Sequence, residues 1–287
     1  MEKFKYQPLA GLLSLRTEEK SNDIFTTISY IEEKVHSSPK GNASTLALLF
    51  YLLFLLQKEG LEFYVKGGII SQYYLKDRAR PTNDLDIIIK EDGDSFYQKV
   101  EKIIQNEKGF SITRYISSPA DMYYYYDYFN IKIEIDTPHL GKIIVAIDGI
   151  SSPLIYDNMN PVTYDGPEII CPNFKFQGVP LEFSLADKII AVTNELSRPC
   201  KHLVDIYNFI HLDIDMNLLK KYLDLVIEND NRVRKNLNIE IVPYQFIIKE
   251  DKVFMDSYLR AIFQAGINVP FNDMKDEVNK WLATNIG

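Results

Sequence analysis

The sequence predicts an α+β protein in two parts, an α/β block with N-terminal helices over residues 1–180 and a helical bundle over 181–287. Three observations predict it. Strand-like and helical segments alternate between Leu61 and Gln177, and after Pro180 the apolar residues recur at helical spacing. The chain has 287 residues, 46% of them hydrophobic and 25% charged, which suffices for two medium domains with buried cores.

Element by element, helical spacing runs from Asn22 to Glu59, with a loop at Ser37–Ala43 where SSPKGN collects turn formers. Thr45–Leu56 reads TLALLFYLLFLL, too short to cross a membrane, which needs ~20 apolar residues. It is expected to be a core helix, with Ser44 or Thr45 near its N-cap. Leu61–Val65, Gly67-Gly68 and Ile69–Lys76 predict a strand, a glycine turn and a helix. Asp84–Lys90 is an isoleucine-rich strand, and Asp94–Asn106 an amphipathic helix with Phe96, Val100, Ile103 and Ile104 on one side. Strands follow at Ser111–Ile116, Met122–Phe129, Ile131–Thr137 and Gly141–Ala146. Helices are expected over Ser184–Leu196, Lys201–Leu212, Met216–Asn229, Lys252–Ala265 and Asn272–Thr284, and Asn236–Ile248 fits either strand or helix.

The formal net charge is −8, so the field of the whole molecule repels phosphate backbones, and a nucleic-acid partner would need a local basic patch. Arg232, Arg234 and Lys235 form one small basic cluster, either plain surface or a rest for a tRNA-like acceptor. Cys171 and Cys200 are far apart in sequence and have no metal or redox spacing, which fits free thiols. Met1–Leu15 lacks the continuous apolar core of a secretory signal, so a cytoplasmic protein with no membrane association is expected. None of His36, His139, His202 and His211 shows metal-ligand spacing.

The chemistry concentrates in Val65-Lys66-Gly67-Gly68 and Asp84-Leu85-Asp86. Residues two apart on a strand project from one face, so Asp84 and Asp86 point the same way while Leu85 and Ile87 enter the core. Neighbouring carboxylates repel; two Mg²⁺ ions turn that repulsion into a grip on triphosphate oxygens. Glycines without Cβ let the backbone approach a phosphate closely, and the amides that open the following helix favour negative charge. A third carboxylate should come from a neighbouring strand. Ile131–Asp136 alternates strictly, placing Lys132, Glu134 and Asp136 on one face, so one of Glu134 and Asp136 completes the set, with Glu134 as the first choice of metal ligand.

Lys66-Gly67-Gly68 followed by Arg80-Pro81-Thr82-Asn83-Asp84-Leu85-Asp86 resembles the AbiEii/AbiGii toxin family of nucleotidyltransferases, whose signature reads KGG, then R-x-[ST]-x-D-[LI]-D. A downstream lysine-bearing helix, Leu181–Lys188, and the segment containing Arg198, Lys201 and Asp205 match the rest of that signature, and the likeness spans about Tyr64–Ile210. His202 stands where the family usually has an acid. The resemblance implies a polymerase-β-like nucleotidyltransferase domain with a mixed sheet, and an NTP substrate. It implies nucleotide contacts from Lys66, Gly67, Gly68, Ser71, Arg80, Thr82, Lys188 and Asp205, with Asp84 and Asp86 holding metal. Lys188 is expected to be an exposed helix lysine that reaches the nucleotide across a cleft between the two parts, at little cost to stability when removed.

Three functions fit these residues. The first is transfer of a nucleotide to RNA or protein as a toxin opposed by a cognate antitoxin, or in abortive infection. The second is transfer to a small molecule such as an aminoglycoside. The third is a catalytically inactive scaffold that binds nucleotide or a partner, against which intact Asp84 and Asp86 argue.

Overall fold

The computed structural model describes residues 8–16, 23–35, 43–117, 128–137, 141–193, 200–236, 240, 241, 243–248 and 252–287. Helices α1 (Pro8–Ser14) and α2 (Ile24–Lys34) pack on α3 (Ala43–Lys58). Asp23 caps α2 by accepting the Thr26 N–H at 2.9 Å. The greasy run is α3, buried on nearly every side because α1 and α2 cover one flank while the segments Asp84–Ile89, Gly141–Ser151 and Gly93–Gln105 cover the other.

Among the described residues the sheet has seven strands: β1 (Tyr64–Val65), β2 (Asp84–Ile89), β3 (Phe110–Ser117), β4 (Tyr128–Thr137), β5 (Gly141–Ser151), β6 (Val162–Asp165) and β7 (Lys175–Gly178). In space they run β3, β4, β5, β2, β1, β7, β6. Pairing is mixed: β2 with β5 and β1 with β7 are parallel, and the other neighbours antiparallel. Between these strands lie α4 (Gly67–Leu75), α5 (Gly93–Gln105) and α6 (Pro153–Asn158). Leu85, Ile87 and Ile89 of β2 are fully buried, as the alternation requires.

Two differences from the sequence reading matter for function. β5 continues to Ser151 rather than stopping at Ala146. Its Asp148-Gly149 pair has the composition of a turn, but a Cβ on Gly149 would stand 2.0 Å from Phe129 Cζ, so the glycine serves ring packing across two strands. β6 and β7, four residues each among prolines and glycines, were not anticipated; they close the edge beside β1. Of the strand expected at Met122–Phe129, residues 122–127 lie outside the described residues, and Tyr128 and Phe129 join β4.

The helical part comprises α7 (Leu181–Thr193), α8 (Cys200–Phe209), α9 (Met216–Asn236), α10 (Lys252–Ala265) and α11 (Phe271–Asn285). α7 packs on α8 and α9, and α8 on α10 and α11, while α4 touches α7 and α8 and so ties the sheet to the bundle. Residues 240, 241 and 243–248 are neither strand nor helix. The Asn279 side chain satisfies that backbone locally, accepting the Ile248 N–H at 2.8 Å and donating to the Ile248 carbonyl at 3.2 Å.

Candidate active site

A cavity of about 400 Å³ opens between the sheet and helices α7, α8 and α9. Its sheet wall begins where β1 ends. The Lys66 N–H donates to the Asp86 carbonyl at 2.8 Å, and the chain turns at Gly67 with φ of 68° into α4. A Cβ on Gly67 would lie 1.9 Å from Asp86 Oδ2, and one on Gly68 would lie 2.3 Å from Thr82 Oγ1. The two glycines and the Arg80–Asp86 segment therefore interlock: each glycine accommodates a side chain of the other motif. Asp86 Oδ2 accepts the Gly68 N–H at 3.3 Å, Ser71 Oγ donates to the Gly67 carbonyl at 2.9 Å, and Thr82 Oγ1 donates to the Asp84 carbonyl at 3.2 Å. Gly67→Ala is expected to destabilise the protein by about 1–2 kcal/mol from the left-handed backbone alone, and more as Asp86 is displaced. Gly60→Ala is the control, because Gly60 has φ of 77° but a Cβ there meets nothing within 4 Å. Equal losses of melting temperature in the two variants would refute the interlock.

The carboxylate that strand order sets beside Asp84 and Asp86 is Asp148, not Glu134 or Asp136. β5, not β4, adjoins β2, and the register sets Asp86 opposite Asp148 and Asp148 opposite Asn130. Glu134 pairs with Ile144, past the start of β2, and binds Lys142 at 2.7 Å; Asp136, further along β4, is exposed. Neither lines the cavity, whereas Asp84, Asp86 and Asp148 all do. Asp148 Oδ1 is held by the Tyr128 hydroxyl at 3.1 Å and by a short bond from the Asn130 amide. Signals for Asp148 existed in the sequence, since Ala146, Asp148 and Ile150 alternate with Val145, Ile147 and Gly149, but only strand order shows that β5 is the neighbour.

The electrostatics follow from this crowding. Burial, then the Asp148 and Asp86 charges, push the Asp84 carboxyl up to about 6, against Lys201 and Lys132. Burial also raises Asp86, with Lys66 opposing and Asp148 reinforcing the shift.

The helix wall supplies cations, and Lys188 is not the exposed lysine expected. It is 4% exposed, and its Nζ donates to Asp205 Oδ2 at 2.9 Å. Asp205 also takes a two-point bond from Arg80, at 3.0 and 2.8 Å, so one buried carboxylate holds two cations from different parts of the chain. Burial alone would raise Asp205; Lys188 and Arg80 outweigh it and hold the carboxyl well below its ordinary range. Lys66 pairs with Asp187 at 3.2 Å. Lys201 is exposed on the cavity rim, and its charge lowers both Asp84 and Asp86. Burial, with Lys188 and Lys201 beside it, keeps the His202 imidazole neutral, and its Nδ1 is buried with no partner among the described residues.

Arg198 lies outside the described residues. The basic cluster on α9 is largely turned inward rather than spread as a surface patch. Arg234 pairs with Asp230 at 2.7 Å, Arg232 donates to Asn229 Oδ1 at 3.2 Å, and only Lys235 is fully exposed.

In all, Asp84, Asp86, Asp148, Asp187, Asp205 and Asp230 face Lys66, Arg80, Lys188 and Lys201 round one cavity. Such a surplus of carboxylates cannot admit a polyanion unaided. Their hard oxygen donors fit divalent ions such as Mg²⁺. Among the described residues no three of these side chains are already drawn round one point as a metal would hold them. Asp86 and Asp148 each spend one oxygen on a protein donor, which leaves the other for a ligand.

A family model described as nucleotidyl transferase AbiEii toxin, Type IV TA system, matches residues 48–284. Among solved structures, MenT4, a nucleotidyltransferase toxin from Mycobacterium tuberculosis H37Rv, is 18% identical, covering 85% of this chain and 94% of its own with a TM-score of 0.47. A putative nucleotidyltransferase from H. pylori is 12% identical over 84% of this chain and 95% of its own, with a TM-score of 0.44. The antibiotic-resistance factor ANT(2'')-Ia is 11% identical over 68% of this chain and 97% of its own, with a TM-score of 0.43. No curated protein matches the sequence.

Proposed function

Because the chain belongs to the AbiEii nucleotidyl transferase toxin family and is a nucleotidyltransferase, we propose that it moves a nucleoside monophosphate from an NTP to an RNA or protein acceptor in a Mg²⁺-dependent reaction. It does so as the toxin of a cytoplasmic toxin–antitoxin pair. The observation that carries this reading is the meeting of Asp84, Asp86 and Asp148 with the Gly67-Gly68 turn on one wall and Lys188 on the other. No helix among the described residues is long and apolar enough to cross a membrane.

Asp84, Asp86 and Asp148 would hold the divalent ions, which would supply positive charge to the phosphate oxygens and lower the pKa of the attacking hydroxyl. Gly67 and Gly68, whose Cβ positions Asp86 and Thr82 fill, seat the Asp84–Asp86 strand against the start of α4, whose positive end would favour the triphosphate. Lys188, oriented by Asp205, and Lys201 neutralise charge that grows on the departing pyrophosphate. Lys66 is shared between Asp187 and the triphosphate. The acceptor oxygen bonds to the α-phosphorus, the bond from that phosphorus to the bridging oxygen breaks, and the acceptor proton passes to solvent or a carboxylate. We place the cleft between the parts on either side of residue 180 as the working site.

The test is incubation with each of the four α-labelled NTPs, Mg²⁺ and total cellular RNA or protein. Label is expected in one acceptor fraction, and to vanish with a chelator. Absence of label from all four NTPs in both fractions would overturn the reading.

A further inference from the structure

One end of the cavity takes no part in the transfer chemistry. The β2–β5 register gives it a direction: Ala146 lies beside Asp84, Asp148 beside Asp86 and Ile150 beside Ile88. At ~3.3 Å per residue, Ile150 is therefore about 7 Å beyond Asp148 along the strand, and Ser152 about 13 Å. There the lining becomes apolar, with Ile150, Ile155 and Val226, and is capped by Asn229 and Asp230 of α9. Asn229 and Asp230 are only 6% and 5% exposed, and both face this space.

Each is oriented from behind. Ser152 Oγ accepts the Ile155 N–H at 3.2 Å, so its hydrogen points to Asn229 Oδ1, 2.6 Å away, and Arg232 donates to the same oxygen. Two donors at Oδ1 settle which way the amide lies and leave Nδ2 as the donor of a residue that lines the cavity. Asp230 Oδ2 accepts from Arg234 and, by a short bond, from the Tyr244 hydroxyl, which leaves Oδ1 as an acceptor. A nearly buried donor and a nearly buried acceptor presented to one cavity beside apolar walls need a ligand with matching groups.

We propose that this end is the nucleobase slot for the NTP, its apolar walls of Ile150, Ile155 and Val226 against the ring faces and its edge read by Asn229 Nδ2 and Asp230 Oδ1. The inference rests on the nucleotidyl-transfer reading. Every nucleobase has flat apolar faces and an edge with a donor beside an acceptor, whereas a phosphate would meet the Asp230 charge. Amino and oxo bases carry that pair in opposite order and purines reach further than pyrimidines, so a rigidly held pair in a slot of fixed depth favours one base over the others.

The experiment measures binding of each NTP, and of inorganic tripolyphosphate, to the full chain with Mg²⁺. One NTP is expected to bind at least about tenfold more tightly than the other three and than tripolyphosphate. Asn229→Asp keeps an oxygen toward Ser152 and Arg232 but replaces the donor by an acceptor; Asp230→Asn makes the converse change. Each is expected to lose the preference, about tenfold or more, with tripolyphosphate affinity unchanged. Val226→Phe fills the slot without touching the polar network and is expected to weaken all four NTPs but not tripolyphosphate. Equal binding of the four NTPs by the wild type overturns the slot. So does a preference intact in all three variants alongside a raised KM for the acceptor, which would assign this end to the acceptor. Parallel loss of NTP and tripolyphosphate binding in every variant also overturns it, leaving the network a purely structural one. A wild type that binds neither NTP nor tripolyphosphate refutes the transfer reading itself.

Discussion

Asp84→Asn is expected to abolish nucleotide transfer, by a factor of about a thousand or more, and at the same time to make the metal-free protein more stable near neutral pH. Both effects come from the same crowding. An amide cannot supply the charge that a divalent ion requires, so the ions and the triphosphate lose their seat. In the metal-free protein, however, the Asp84 carboxylate is a liability, because burial and the charges of Asp148 and Asp86 raise its pKa from 3.8 to about 6. A raised carboxyl pKa means that the unfolded state ionises first as pH rises. Stability from this group is intact below about pH 4, declines between pH 4 and 6, and is lowest above that. Discounted for partial exposure, the penalty is about 2 kcal/mol at pH 7.5, or about 5 °C in melting temperature. The Asn variant escapes it at pH 7.5 and loses its advantage by pH 4. Added Mg²⁺ should stabilise the wild type and not the variant. Asp148→Asn is expected to be as inactive as Asp84→Asn, while Glu134→Gln keeps activity within about twofold, in line with an ordinary surface substitution. Inactive Glu134→Gln with active Asp148→Asn would make Glu134, not Asp148, the third ligand.

Asp205→Ala is expected to be the most destabilising single change in the site, costing about 3–5 kcal/mol, because it strands the buried Lys188 and the partly buried Arg80 with no counter-charge. Since Lys188 and Arg80 hold the Asp205 carboxyl well below its ordinary range, its contribution is present above the unfolded value of 3.8 and is lost only as pH falls through that low folded pKa. The deficit of the Ala variant should therefore stay constant between pH 5 and pH 9 and shrink only in strong acid, as read from urea midpoints. Lys188→Met, which keeps most of the buried volume and leaves Asp205 paired with Arg80, is expected to cost less stability and yet to lose transfer about a hundredfold. A Lys188→Met variant with full transfer would remove the lysine from the mechanism. An Asp205→Ala variant with wild-type urea midpoint would show that the three charges are not energetically joined.

Periodicity, turn residues and motif spacing were enough to identify the two-part α+β architecture, the core helix α3, the short strand and glycine turn before α4, and the Asp84–Asp86 face. These are local properties: a period of two or of 3.6 residues is written in consecutive positions, and a glycine pair between two such periods marks a turn. What the chain alone left open is which distant segments become neighbours. Glu134 and Asp148 sit on strands with equally good alternation, and the choice between them depends on β5 pairing parallel with β2, a contact across some sixty residues. The same holds for Lys188, whose burial depends on Asp205 and Arg80 arriving from separate elements. Burial and charge pairing are set by strand order and helix packing, and a pattern read along one segment carries no term for either.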